Sequence, residues 1–149
     1  MGILKTIITQ NIDGLHQMAG NTDVIEFHGN FAWQQCMDCN RRLETAKIDT
    51  SQIPPRCECG GIYRPECVFF GEMIPPQHLY RVSSECDIML VIGTSALIQP
   101  AAFMPSIAKR AGAKIIEINT ERTPLTQGTS DYILMGKAGE IMKRLTSEI

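Results

Sequence analysis

The sequence lacks the features that would direct it into a membrane, out of the cell or onto a nucleic acid. No apolar run approaches the roughly 18 residues that a membrane-spanning helix needs, and the N-terminus has no basic and then apolar signal layout. Lys and Arg total 14 and Asp and Glu total 16, which gives a net charge of −2, and like charges form no long block. We therefore expect a cytoplasmic protein that binds neither membranes nor nucleic acids directly.

Internal repeats are absent too, and the composition is that of a globular protein. Hydrophobic residues make up 44% of the chain and charged residues 20%, which argues against disorder. A chain of 149 residues can bury one compact core but not two full domains. We therefore expect one domain over 1–149, with room for a small insertion.

Short apolar and β-branched runs alternate with helical patterns along the chain. The predicted strands cover residues 3–9, 24–27, 87–92, 114–119 and 132–135. The predicted helices cover residues 100–112 and 138–145. The run at 87–92 is continuously apolar, which is typical of a central parallel strand buried on both faces. This alternation predicts an α/β fold.

Four of the six cysteines form two close pairs, Cys36 with Cys39 and Cys57 with Cys59. Two turns that each present two thiolates suit the tetrahedral geometry of zinc, and four protein ligands leave no open position. The pattern therefore predicts a structural zinc in a small module inserted at 31–65. The second pair is one residue tighter than usual, so Cys67 is an alternative ligand, although its apolar neighbours favour packing.

Polar residues follow the first two predicted strands, at the strand ends where open α/β sheets bind ligands. Gln10, Asn11 and Asp13 follow the first strand. They could contact a ligand, or they could stabilise the turn through bonds from side chain to backbone. His28 follows the second strand, where an imidazole can act as a general base, although a lone histidine is more often structural.

The two later strands also end in polar residues. Gly93, Thr94 and Ser95 offer backbone N–H groups and hydroxyls to an anionic or ribose ligand. Asn119 and Glu121 can bond ribose hydroxyls, and exposed surface polarity explains them equally well. The full glycine-rich dinucleotide fingerprint is absent, so these residues alone are a weak signal.

Taken together and in order, these segments resemble the sirtuin family of NAD-dependent protein lysine deacylases. The matching segments are residues 9–16, 26–29, the two cysteine pairs, 64–72, 93–95 and 119–121. The resemblance implies a partial Rossmann-like parallel sheet with an inserted zinc-binding module. It implies NAD as co-substrate, one structural zinc, and an acylated protein or peptide as partner. The implied reaction removes an acyl group from lysine and yields nicotinamide and O-acyl-ADP-ribose.

The resemblance also implies a role for individual residues. His28 becomes the general base that activates a ribose hydroxyl, and Asn11 and Asp13 lie nearest the nicotinamide bond that breaks. The implied NAD contacts are Gln10, Asn11, Ile12, Asp13, Gly93, Thr94, Ser95, Asn119, Glu121, Lys137 and Ala138. The implied acyl-lysine contacts are Val68, Phe70 and Gly71, which would pair with the substrate backbone as an added strand. His16 is a rival base by residue type and has no such role in the family.

One departure concerns the N-terminal side of the chain. Sirtuins begin with a strand, a Gly-Ala-Gly phosphate loop and an Asp-Phe-Arg segment, none of which precedes Ile3. We therefore expect the chain to correspond to the later part of the family's catalytic domain. Two alternatives to an enzyme acting alone stay open. One is a non-catalytic, zinc-stabilised fragment that binds acyl-lysine peptide or a partner chain. The other is a split enzyme whose N-terminal segment comes from a separate partner.

Overall fold

The computed structural model describes residues 2–72 and 82–148. The chain divides into two compact units, Met1–Ile74 and Pro75–Ile149, and each is described by itself. Within the described residues, no helix is both long enough and apolar enough to cross a membrane.

The first unit contains two small sheets. Its elements are β1 (Ile7–Thr9), α1 (Leu15–Met18), β2 (Val24–Glu26), β3 (Gly29–Cys36), β4 (Arg42–Glu44) and β5 (Tyr63–Cys67). Strands β1 and β2 form a parallel pair, whereas β3 is the central strand of an antiparallel sheet in the order β4-β3-β5. The buried residues of the antiparallel sheet form a core of Cys36, Ile48, Cys57 and Tyr63. Two of these four are predicted zinc ligands, so this core is small.

The prediction of a buried strand over 3–9 is wrong for its first half. Only Ile7–Thr9 is a strand, and Ile3 and Leu4 are 68% and 63% exposed. The physical reason is pairing: β2 contributes three residues to the ladder, so only the last three residues of the apolar run find partners. Apolar composition predicted the strand, but the length of its neighbour decides where it begins.

Strand β3 begins at a glycine because the chain passes against β5 at that point. Gly29 has φ +70°, and a Cβ built on it would lie 2.0 Å from the carbonyl oxygen of Glu66. Only glycine combines this backbone conformation with such a close approach. The pairing of Gly29 with Cys67 sets the start of β3 directly after His28.

The second unit is a three-stranded parallel sheet with helices. Its elements are β6 (Ile88–Ile92), α2 (Met104–Arg110), β7 (Lys114–Asn119), β8 (Tyr132–Met135) and α3 (Ala138–Ser147). The strand order is β6-β7-β8, and every pairing is parallel. The core packs Val91 and Ile115 of the sheet against Ala108 of α2, together with Ala113 and Leu125. The predicted α/β class with a parallel sheet is confirmed.

The helix predictions hold with different boundaries. The region predicted as one helix at 100–112 is a 3₁₀ turn, Ala101–Phe103, followed by α2. Gly112, with φ +106°, follows the end of α2 as predicted. The closing helix α3 extends two residues past its predicted end, to Ser147.

The prediction that 87–92 forms a central strand buried on both faces is wrong for the described structure, where β6 is an edge strand of its sheet. Alternate residues of β6 are exposed: Ile88 is 58%, Leu90 40% and Ile92 41% exposed. Val91, on the opposite face, is buried against the α2 core. The register places Leu90 beside Ile116 and Ile116 beside Tyr132, so the exposed residues share one side of the sheet. A continuous apolar run is compatible with two covered faces but cannot show that both are covered.

Candidate functional site

The first candidate cluster lies around His28, just after β2. The ring atom Nδ1 lies 3.0 Å from the carbonyl oxygen of Gln10. A carbonyl oxygen only accepts, so in the neutral ring Nδ1 carries the proton and Nε2 keeps a lone pair. The ring of Phe27 packs edge-on against the imidazole, with centroids 5.0 Å apart. The half-buried His28 is therefore oriented by the loop that follows β1.

The loop after β1 is ordered by local hydrogen bonds. The N–H of Asn11 donates to Thr9 Oγ1 at 3.1 Å, and Asp13 Oδ1 accepts from the N–H of Leu15 at 3.0 Å. The N–H of Phe31 donates to the carbonyl of Ile12 at 3.0 Å. One carboxylate oxygen of Asp13 therefore makes the bond from side chain to backbone that was predicted as the alternative to ligand binding. The side chains of Asn11 and Asp13 remain exposed.

The segment after β5 meets His28 through the backbone. The N–H of Val68 donates to the carbonyl oxygen of His28 at 2.9 Å. The predicted base and the first predicted acyl-lysine contact are therefore neighbours. Phe70 is completely exposed, and Gly71 has φ +89°, a left-handed conformation that turns the chain.

An arginine–glutamate pair, Arg64 with Glu72, holds this segment in shape. The guanidinium of Arg64 donates to both carboxylate oxygens of Glu72, at 2.7 and 2.9 Å. It also donates to the carbonyl of Cys67 at 3.2 Å and lies 4.6 Å from the ring centroid of Phe69. The N–H of Phe69 donates to Glu72 at 3.0 Å. Arg64, and after it this N–H, lower the pKa of Glu72 to about 2.

The four paired cysteines converge on one point. Cys36 Sγ lies 3.6 Å from Cys59 Sγ, and Cys39 Sγ lies 3.7 Å from Cys57 Sγ. All four sulfurs lie within 4.8 Å of one another. Sulfurs bound tetrahedrally to zinc at about 2.3 Å are roughly 3.8 Å apart, so the set fits a zinc ion. The tight spacing of the second pair does not prevent this geometry.

Backbone N–H groups favour the thiolate at two of the four cysteines, Cys36 and Cys57. The pKa of Cys59 is instead raised to about 12, because the Gly61 N–H, which lowers it, is outweighed by the neighbouring sulfurs of Cys39 and Cys36. The N–H of Cys39 lowers the pKa of the Cys36 thiol, and the N–H of Cys59 lowers that of Cys57 to about 6. Thiolates are the form that binds zinc. Cys67 lies outside the cluster, and burial raises the pKa of its thiol. The alternative that Cys67 replaces one of the four ligands is therefore wrong.

In the second unit, the predicted NAD contacts lie at the carboxyl ends of the parallel strands. Asn119 connects all three loops there. Its Nδ2 donates to the carbonyl of Thr94 at 2.9 Å, and its own carbonyl accepts from the N–H of Gly136 at 2.8 Å. Its Oδ1 accepts from the N–H of Thr120 at 2.8 Å. The loops that carry Gly93–Ser95, Asn119–Glu121 and Lys137–Ala138 are thus held side by side.

A protein-family model described as the Sir2 family matches residues 1–100 of the chain. The chain belongs to the Sir2, or sirtuin, family. NAD-dependent protein deacylase 1 of Archaeoglobus fulgidus is 45% identical over 153 aligned residues, which cover 100% of this chain and 62% of that protein. The NAD-dependent protein deacylase of Pyrococcus furiosus is 42% identical, covering 100% and 63%. The chain thus spans about three fifths of the length of these Sir2-family relatives.

Solved Sir2-family structures share the fold. A Sir2 homolog–NAD complex matches with a TM-score of 0.91 at 44% identity, covering 99% of this chain and 59% of that one. A complex of Sir2 with p53 peptide and NAD+ matches with a TM-score of 0.93 at 34% identity, covering 99% and 64%. The predicted family, fold class and incomplete coverage of the family's length are confirmed.

Two features of this Sir2-family chain escaped the sequence interpretation. Arg64 and Glu72 lie in a matching segment, but no role was predicted for either of them. Glu117, in the middle of β7, is 1% exposed and accepts hydrogen bonds from three hydroxyl groups. A signal for Glu117 was available, because it is a charged residue inside the apolar run 115–118. A charge at a buried strand position needs partners, and the sequence does not show which residues supply them.

Proposed function

We propose that this chain takes part in NAD-dependent removal of acyl groups from protein lysines, with His28 as the general base. The observation that carries the proposal is the hydrogen bond from His28 Nδ1 to the Gln10 carbonyl. It leaves Nε2 as the acceptor and ties the base to the loop of predicted NAD contacts. Membership of a family whose members include the Archaeoglobus fulgidus and Pyrococcus furiosus deacylases supports the same reaction.

His28 performs the proton transfer in this proposal. Its Nε2 accepts the proton of a ribose hydroxyl, and the carbonyl of Gln10 stabilises the charge that the ring then gains at Nδ1. NAD, when bound, supplies the ADP-ribose that accepts the acyl group as nicotinamide leaves. Asn11 and Asp13 present exposed polar groups from the loop that orients the base, consistent with contacts to that part of NAD.

The segment from Val68 to Gly71 is proposed to bind the acyl-lysine peptide. It continues from the edge strand β5 and is fixed by Arg64 and Glu72, so it can accept an added strand with little loss of conformational entropy. The exposed ring of Phe70 offers apolar surface to the acyl-lysine side chain.

The remaining predicted residues have proposed roles of the same kind. In the second unit, the three loops joined by Asn119 are proposed to contact the adenosine half of NAD. We place the zinc-binding module at 31–65 within a catalytic domain over 1–149, with Cys36, Cys39, Cys57 and Cys59 as its ligands. Zinc there supplies cross-linking and no chemistry, because four protein ligands fill its shell. None of the six cysteines, all of which lie within the described residues, forms a disulfide, which favours a reducing compartment and hence the cytoplasm.

Nicotinamide release tests the proposal. The zinc-loaded chain is mixed with NAD and an acetyl-lysine peptide, and both nicotinamide and deacetylated peptide are measured. His28→Ala should abolish turnover. His16→Ala is the matched control, because His16 lies on α1 without a predicted role, and this variant should keep the activity. Equal turnover by the unchanged chain and His28→Ala would contradict the assignment of the base.

A second candidate function is a zinc-stabilised module that binds acyl-lysine peptide without catalysis. The observation in its favour is the chain's coverage of only about three fifths of its relatives. Peptide binding without nicotinamide release would support this candidate. Turnover that appears only when a separate N-terminal segment is added would instead support the split enzyme.

A further inference from the structure

We propose that Glu117 is a positioning residue for NAD: its buried carboxylate fixes the connection between β7 and β8, and so aligns Asn119 and Glu121. The inference rests on the proposed function, because it deepens the assignment of the adenosine-side loops. Glu117 itself lies within the sheet and is 1% exposed, so it acts through the loop and not by touching a ligand.

Three hydroxyl groups converge on the Glu117 carboxylate. Thr123 donates to Oε1, whereas Thr126 and Ser130 donate to Oε2 at 3.1 and 2.7 Å. Thr123 and Thr126 cap the 3₁₀ turn Pro124–Gln127, and Ser130 lies just before β8. One side chain of β7 therefore holds both the middle and the end of the connection to β8.

The hydrogen-bond directions require an acceptor with two oxygens. The hydroxyl of Thr123 already accepts from the N–H of Leu125 at 3.1 Å, and that of Thr126 accepts from the N–H of Thr123 at 3.0 Å. Each hydroxyl has a single proton, and it points at Glu117. An amide at position 117 would turn an N–H₂ group toward at least one hydroxyl that is itself donating. A mismatch of this kind is costly, because the side chain at position 117 is 1% exposed and its amide would lie out of reach of water.

The connection that Glu117 holds begins at the predicted NAD contacts. Asn119 lies two residues farther along β7, and its Oδ1 accepts from the N–H of Thr120 and, at 3.5 Å, from that of Glu121. Asn119 also joins the loops after β6 and β8 through Thr94 and Gly136. Releasing the connection at Thr123 would loosen the turn over 120–122 while leaving the strand pairing of β7 in place.

The test measures ADP-ribose binding by calorimetry, which does not depend on catalysis. Glu117→Gln should weaken ADP-ribose binding on the order of tenfold, because small displacements of positioning groups have effects of this size or larger. It should also speed amide hydrogen exchange at Thr120 and Glu121. Ile115→Val is the matched control, because it trims a fully buried side chain of the same strand and removes none of the hydrogen bonds to Glu117, and it should leave ADP-ribose binding unchanged.

A second variant covers the case in which Glu117→Gln does not fold. Ser130→Ala removes one donor and keeps the carboxylate, and a several-fold weakening with faster exchange at 120–121 is expected. Folded variants that bind ADP-ribose as tightly as the unchanged chain would overturn the positioning role alone. No ADP-ribose binding by the unchanged, folded chain would overturn the proposed NAD contacts, and the positioning role with them.

Discussion

The two units hold their candidate residues by different means. In the second unit, the loops lie side by side because parallel strands end at one edge of a sheet, and Asn119 joins them. In the first unit, His28 and its neighbours are held by close approaches between segments far apart in sequence: Gln10 with His28, His28 with Val68, and Gly29 with Glu66. Regular secondary structure arranges one set, and individual contacts arrange the other. The first unit should therefore be far more sensitive to single changes.

Removal of the metal should give the largest difference in stability between the two units. The core of the antiparallel sheet includes Cys36 and Cys57, and structural zinc contributes on the order of 10 kcal/mol to the folding of small metal-dependent domains. A chelator should therefore abolish amide exchange protection in β3 and β5 while protection in β7 persists. Cys86→Ser, which changes a cysteine outside the cluster, should leave the response to chelator unaltered. Simultaneous loss of protection in β7 would show that the units depend on each other for folding.

The close approach of β3 to β5 predicts the next largest effect. Gly29→Ala places a methyl group 2.0 Å from the Glu66 carbonyl oxygen at φ +70°, so we expect a loss of about 2 to 4 kcal/mol in the free energy of unfolding. Urea unfolding measures it. Gly139→Ala is the contrast in α3, where an added Cβ has nothing within 4 Å, and a gain of about 0.5 to 1 kcal/mol is expected. Equal effects at the two glycines would contradict the proposed difference between the units.

Removing the side chain of Asn119, which connects the loops of the second unit, should lower the free energy of unfolding by less than Gly29→Ala does. Asn119→Ala loses the bond to the Thr94 carbonyl and the acceptor for the Thr120 N–H, for which we expect about 1 to 2 kcal/mol. Urea unfolding of Asn119→Ala measures this loss. A larger loss in the free energy of unfolding for Asn119→Ala than for Gly29→Ala would contradict the prediction that the first unit is more sensitive to single changes.

The smallest predicted effect concerns pH and the Arg64–Glu72 pair. The pKa of Glu72 is lowered from 4.5 to about 2, so the unfolded chain binds this proton more readily than the folded one. The pair's contribution to stability is therefore complete above about pH 4.5 and is lost as the pH falls toward 2. Unfolding curves recorded across this window should converge for the unchanged chain and Glu72→Gln.

Arg64→Lys tests how much of this pH dependence comes from the two-point geometry of the Arg64–Glu72 pair. Lysine keeps the positive charge but cannot donate to both carboxylate oxygens as a planar fork, so the pH dependence should be reduced and not abolished. An unchanged pH dependence in Glu72→Gln would mean that other carboxylates dominate acid unfolding.

Prediction from sequence was most accurate for features whose physical cause lies within one short segment of the chain. Strands β7 and β8 have the predicted bounds, because their apolar runs end at clear turn residues. The cysteine pairs identified the metal cluster because ligand spacing is a local property. The extra strand residues at 3–6 and the exposed face of β6 were mispredicted, since both depend on which neighbours the rest of the chain provides. The role of Glu72 was hidden because its partner lies on β5.

The sequence by itself determined the α/β class, the family, the four-cysteine cluster and the candidate residues at the strand ends. The class, the cysteine cluster and the strand-end residues follow from residue type, period and spacing, and the family follows from a resemblance of motifs in order; all of these are properties of short segments. Only the tertiary structure decided the orientation of His28 by Gln10, the Arg64–Glu72 pair and the burial of Glu117 among three hydroxyls. Each of these joins residues from different elements of the fold. Hydrogen bonds form only where folding brings donors and acceptors within about 3 Å, and distance in space is not written in any single segment.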